Sequence, residues 1–128
     1  MIIIRSPKKM RDASNNILKK GKTIGFVPTM GALHEGHMKL IEKAKKFSDL
    51  VVVSIFVNPM QFGPKEDYKK YPRNFKKDAS LLKNAGVDIL FYPNEKNMFN
   101  KNFKTVVEVK DLSNKLCGVS RKGHFSGV

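Results

Sequence analysis

The stretch Thr23-Ile24-Gly25-Phe26-Val27, then Pro28-Thr29-Met30-Gly31-Ala32-Leu33-His34-Glu35-Gly36-His37, then Met38 to Phe47 decides the fold. Its first five residues are an apolar, strand-like run, and its last ten repeat apolar residues at helical spacing. A glycine-containing turn joins them and delivers two histidines to the helix entrance. A helix N-terminus presents unpaired N–H groups and a partial positive charge, and so favours phosphate. Gly31 and Gly36 let a ligand approach the backbone closely. His34 and His37, three residues apart, face the same side of a helical turn. The expected layout is a nucleotide phosphate site with imidazoles where glycine-rich loops use lysine.

The same alternation continues on either side. Met1 to Arg5 reads as a strand, and Ser6-Pro7 supplies a helix cap with proline at the first helical position. Met10, Ala13, Ile17 and Leu18 repeat at helical spacing until Gly21 stops the helix. Val51-Val52-Val53-Ser54-Ile55-Phe56-Val57 is the β-branched run expected of a strand buried on both faces. Residues 58 to 72 form a loop with three prolines and a glycine. Arg73 to Ala85 reads as a helix with Phe75, Ala79 and Leu82 on one face, ended by Gly86. Val87 to Tyr92 reads as a fourth strand, Lys104 to Val109 as a fifth, and Asp111 to Leu116 as a short helix. Strands alternating with helices, with no polar face on the central strands, predict a parallel sheet with right-handed crossovers. This is an α/β, Rossmann-like fold, whose ligands sit at the carboxyl ends of the strands.

Composition narrows the class. At 128 residues and 41% apolar, the chain reads as one domain with a real core. No apolar run approaches the roughly 20 residues of a membrane span. The N-terminal apolar run is too short for a signal h-region. Cys117 is the single cysteine, which excludes an intrachain disulfide, and a cytoplasmic protein is the simplest reading. The net charge of +14 comes from 21 Lys and four Arg, the lysines in scattered pairs. That reads as a solvated surface rather than the basic stripe of a nucleic-acid interface.

Several residues could carry chemistry. Of three histidines, two are His34 and His37, and the third is His124 in Ser120-Arg121-Lys122-Gly123-His124-Phe125. None lies on an apolar helix face. His34 and His37 read as ligand-binding or catalytic, and His124 reads equally as functional or neutral. Zinc could draw on two histidines with Asp78 or His124, but the spacing is not i, i+4 and a lone cysteine gives no second soft ligand. Asn58 and Gln61 in Phe56-Val57-Asn58-Pro59-Met60-Gln61-Phe62-Gly63 offer amides at a strand's carboxyl end, for a ligand or for a turn. Asp78, at the edge of an apolar face, could hold a metal ion such as magnesium or pair with Arg73 or a lysine. Cys117 reads as inert packing.

Together these segments resemble the pantothenate synthetase (pantoate–β-alanine ligase) family, in its N-terminal portion. The resemblance rests on residues 27–37 and 56–63, on Glu66-Asp67, on Tyr71-Pro72-Arg73, and on Gly123-His124-Phe125-Ser126-Gly127-Val128. It implies the nucleotidyl-transferase variant of the Rossmann-like fold, with the chain truncated before the family's C-terminal domain. It implies ATP-dependent activation of pantoate to pantoyl adenylate with pyrophosphate release, then attack by β-alanine to give pantothenate and AMP. By resemblance, His34 and His37 are catalytic, with a proton-donor role at His37. Met30, Gly31, Ala32, Leu33, His34, Glu35, Gly36 and His37 bind ATP, and Gln61, Asn58 and His124 fall at pantoate and β-alanine positions. Mg2+ accompanies ATP. The implied partners are these small molecules and a second copy in a homodimer, with no nucleic acid and no membrane. Two other readings compete: another nucleotidyl transferase sharing the histidine loop, and a basic nucleic-acid-binding domain.

Overall fold

The computed structural model describes residues 1–63, 66, 68–99 and 102–128. Pro64 of the proline-containing loop and Asp67 of the Glu66-Asp67 pair lie outside the described residues. The elements run β1 (Ile2–Ile4), α1 (Pro7–Lys19), β2 (Ile24–Thr29), α2 (Glu35–Phe47), β3 (Leu50–Ile55), α3 (Phe75–Asn84), β4 (Ile89–Phe91), α4 (Glu95–Met98), α5 (Cys117–Ser120) and α6 (His124–Gly127). By contact density they fall into two compact units, residues 1–56 with 72–98 and residues 57–71 with 99–128.

The first unit is the α/β sheet expected from the sequence. Its four strands are parallel, in the order β1-β4-β3-β2. The β3 residues alternate between two cores, as the two-residue period of a strand demands. Val51, Val53 and Ile55 join Val27 and Leu90 in one core, closed by Ile41 of α2 and Leu82 of α3. Val52 faces the other way and joins Ile89, with Met10 of α1 buried against them. Helices therefore cover both faces of β3, which is why its sequence has no polar face. Phe75 and Ala79 pack on the first core beside Leu82, as their spacing predicts. Ser6 caps α1 by accepting the Lys9 N–H, with Pro7 at the first helical position. Leu18, expected on the apolar face of α1, is instead exposed.

In the second unit the chain departs from expectation. Residues 104–109 form no strand, and Val106, Val107 and Val109 are exposed. A β-branched run is stable as a strand only when a neighbour completes its ladder, and among the described residues none does. Residues 111–116 make turns, and the helical turn falls one step later, at α5. Cys117 is exposed rather than packed.

Candidate active site

The loop after β2 is built from its anchor outward. Thr29, the last residue of β2, is buried and donates its hydroxyl to the Ser54 carbonyl of β3 at 2.8 Å. The same oxygen accepts the Gly31 N–H at 3.1 Å. Phe56 donates its N–H to the Thr29 carbonyl, so the ends of β2 and β3 are tied together. The chain then turns through two left-handed residues, Gly31 at φ +86° and Ala32 at φ +51°. Alanine disfavours that conformation by roughly 1–2 kcal/mol, so something must hold it.

Asp78 holds it. Its side chain comes from the first turn of α3 and is 3% exposed. Oδ2 accepts the Ala32 N–H and Oδ1 the Leu33 N–H, each at 3.0 Å. A Cβ at position 31 would lie 3.0 Å from Oδ2 and 3.1 Å from Ile55 Cγ2, so glycine is needed for space as well as for φ. The metal-ligand reading of Asp78 does not fit this geometry. Both oxygens serve backbone donors, and among the described residues no group of three or more His, Cys, Asp or Glu side chains could hold a metal ion. Pairing with Arg73 or a lysine is likewise not what the carboxylate does.

The histidines cap their own helix. His34 is the N-cap of α2, in extended conformation, and its Nδ1 accepts the Gly36 N–H at 3.1 Å. His37, three residues on, returns the bond: its Nδ1 accepts the His34 N–H at 3.3 Å. This is a capping box with imidazoles in place of the usual hydroxyl and carboxylate. The rings lie 4.1 Å apart between centroids, tilted by 55°. A Cβ on Gly36 would meet His34 Cε1 at 2.9 Å, so the cap requires glycine there. Partial burial, and secondarily the His34 charge, lower the His37 pKa from its ordinary 6.5, while Asp78 opposes the shift.

This narrows the expectation of unpaired amides at the helix entrance to one, the Glu35 N–H. The N–H groups of Gly31, His34, Gly36 and His37 donate within the loop or to Thr29 at its start, and those of Ala32 and Leu33 to Asp78 of α3. Side chains take five of the six, on Thr29, Asp78, His37 and His34, and the His34 backbone carbonyl takes the His37 N–H. What remains for a ligand is the pair of Nε2 atoms, neither of which has a partner among the described residues, and the Glu35 N–H at the first position of α2, which has none there either.

In the second unit, Asn58 caps the 3₁₀ turn Pro59–Gln61, its Oδ1 accepting the Met60 N–H at 3.0 Å. Its Nδ2 donates to the Gly127 carbonyl at 2.8 Å. Asn58 thus does the turn-forming work that was one of its two readings. The backbone carbonyl of Gln61 accepts from His124 Nδ1 at 2.9 Å and from Arg121 Nη2 at 3.4 Å. Arg121 also pairs with Glu66 through two bonds, Nε to Oε1 and Nη2 to Oε2, and Glu66 Oε2 accepts the Gly63 N–H at 2.7 Å. Arg121, and then the Gly63 N–H, hold the Glu66 carboxyl below its ordinary range. The result fixes the backbone of residues 61–63, while the Gln61 side-chain amide has no partner among the described residues. The sequence reading missed the roles of Glu66 and Arg121, which are 55 residues apart. The guanidinium three residues before His124 was the available signal.

The model of the pantoate-beta-alanine ligase family matches residues 2–128. The chain belongs to that family. A pantothenate synthetase of Caldicellulosiruptor saccharolyticus is 52% identical over all 128 residues, which are 46% of that protein. One of Bacillus licheniformis is 54% identical over the same span, 44% of its length. The chain therefore spans under half the length of these ligases. The crystal structure of pantothenate synthetase from Thermus thermophilus superposes with a TM-score of 0.90 at 44% identity, over 99% of this chain and 45% of that one. The pantoate–β-alanine ligase of Francisella tularensis, crystallised with beta-gamma ATP and β-alanine, gives a TM-score of 0.90 at 47% identity over 99% and 49%. The sheet and its flanking helices are thus the ligase family's own.

Proposed function

We propose that these residues serve the ATP-dependent ligation of pantoate and β-alanine. One pantoate carboxylate oxygen attacks the α-phosphorus of ATP, the bond from that phosphorus to the β-phosphate bridge breaks, and pyrophosphate leaves. The β-alanine nitrogen then attacks the acyl carbon of pantoyl adenylate, loses a proton, and expels AMP. A carboxylate is a poor acyl donor until its oxygen belongs to a good leaving group, which is what ATP supplies. The observation that carries this reading is family membership together with two unpartnered imidazole Nε2 atoms on a braced loop.

Catalysis of this kind is mostly positioning and charge stabilisation. His34 and His37 would meet phosphate oxygens as negative charge develops, and residues 30–37 would line the ATP site. Gln61, with its backbone braced and its amide open, would bind pantoate near β-alanine. Asn58 and His124 support that segment. Magnesium would arrive on the ATP phosphates. The described residues do not form a site of their own for it, and no step here depends on one. A homodimer and a cytoplasmic setting belong to the same proposal. No helix among the described residues is long and apolar enough to cross a membrane.

Pyrophosphate release in the natural chain that carries these residues tests the reading. It should require pantoate, and nicotinamide mononucleotide or phosphopantetheine should not replace it. Release with either of those and not with pantoate would move the chain to another nucleotidyl-transfer reaction.

A further inference from the structure

We infer that Gly127 is a positioning residue for pantoate: carrying no side chain, it lets α6 seat against the Met60–Gln61 peptide and so fixes where the Gln61 amide points. The 3₁₀ turn Pro59–Gln61 and α6 both belong to the second unit. A Cβ at position 127 would run into the Met60 carbonyl and lie 2.7 Å from Gln61 Cα. Both obstacles are main chain, so no rotamer change relieves the overlap. Only glycine allows so close an approach of two backbones.

Two hydrogen bonds flank this contact. Asn58 Nδ2, at the entrance of the 3₁₀ turn, donates to the Gly127 carbonyl at 2.8 Å. His124 Nδ1, at the first position of α6, lies 2.9 Å from the Gln61 carbonyl, which can only accept, so the imidazole donates. The turn's own bonds, from the Met60 N–H to Asn58 Oδ1 and from the Gln61 N–H to the Asn58 carbonyl, are local and set its curvature. The bare Cα of Gly127 and the two bonds beside it set its orientation. A methyl at position 127 would push the turn and α6 apart and re-aim the Gln61 side chain, which has no partner of its own among the described residues. A misplacement of about 1 Å at a binding group can cost up to about 100-fold in rate. The role in pantoate binding rests on the reading of Gln61 under Proposed function; the close approach does not.

Steady-state kinetics of the natural chain that carries these residues test the inference. Gly127→Ala should raise the pantoate KM about tenfold or more, while the ATP KM stays within about twofold. Gly123→Ala is the contrast. Gly123 caps α6 at φ +79°, and a Cβ there meets nothing within 4 Å, so this change strains the backbone without entering the turn. It should leave both KM values within about threefold. A pantoate KM within about twofold of the parent in Gly127→Ala, an equal rise in both its KM values, or an equal rise in the two variants would make Gly127 a structural part only and overturn the inference. A second measurement needs no variant. In the natural chain labelled with 13C-glycine, a Gly127 Hα should show a strong cross-relaxation peak to Gln61 Hα, and its absence would also overturn the inference. Gln61→Ala separates this inference from the reading beneath it. An unchanged pantoate KM in Gln61→Ala would overturn both, whereas a rise there with none in Gly127→Ala overturns the role of Gly127 alone.

Discussion

Asp78→Ala should be the most damaging single truncation near the loop. The carboxylate makes two charge-assisted bonds, to the Ala32 and Leu33 amides, from a site that is 3% exposed. Leaving a buried N–H without a partner costs about 1–3 kcal/mol. Leu33 is buried and Ala32 half-buried, so water can partly replace the second bond. Taking about 2 kcal/mol for Leu33 and about 1 for Ala32 gives about 3 kcal/mol. Release of Ala32 from its left-handed conformation returns roughly 1 kcal/mol, while the emptied carboxylate pocket adds a similar loss. The expected destabilisation is therefore about 2–4 kcal/mol, a large share of a domain's usual total. Asp78→Asn keeps one acceptor but turns its NH2 towards the other amide, and should lose nearly as much. Urea unfolding of both variants measures this, with amide exchange at Ala32 and Leu33 as the local probe. A loss under about 0.5 kcal/mol, with both amides still protected, would refute Asp78 as the brace.

Other consequences follow from the same geometry. Gly31→Ala should cost about 2 kcal/mol or more, since it combines positive φ with contacts at 3.0 and 3.1 Å; calorimetry checks it. Gln61→Ala should raise the pantoate KM about tenfold, one lost hydrogen bond, and leave ATP affinity unchanged; steady-state kinetics would contradict this if ATP binding alone fell. Glu66→Gln should also raise the pantoate KM by loosening residues 61–63, with an effect smaller than that of Gln61→Ala. Because the His37 pKa is lowered from 6.5 in the folded protein, the unfolded chain takes up that proton more readily. The His37 contribution should be fully present above that value and fade as pH falls through the folded pKa, so His37→Gln should flatten the acid side of the stability profile.

The sheet was legible because its signals are local. The two-residue period of β3 and the helical spacing of Phe75, Ala79 and Leu82 each report a face within a few residues. The strand–turn–helix layout of the histidine loop was legible for the same reason, and its i, i+3 spacing held the capping box as well. Asp78 was not legible, because its partners lie 45 and 46 residues away. A carboxylate's sequence neighbours do not say whether it meets a metal, a cation or a backbone amide. Glu66 and Arg121 were hidden in the same way. The run at 104–109 misled because β-branched residues report a preference for a ladder and not the presence of one.

The central claim is that a carboxylate oxygen attacks the α-phosphorus of ATP at this loop. Pantoate labelled with 18O in its carboxylate, supplied with ATP and β-alanine to the natural chain that carries these residues, tests it directly. Mass spectrometry of the AMP should find one 18O atom transferred from pantoate, and His34→Ala and His37→Ala should each slow its appearance by about 100-fold or more. Unlabelled AMP, or ADP with the label in inorganic phosphate, would contradict the account.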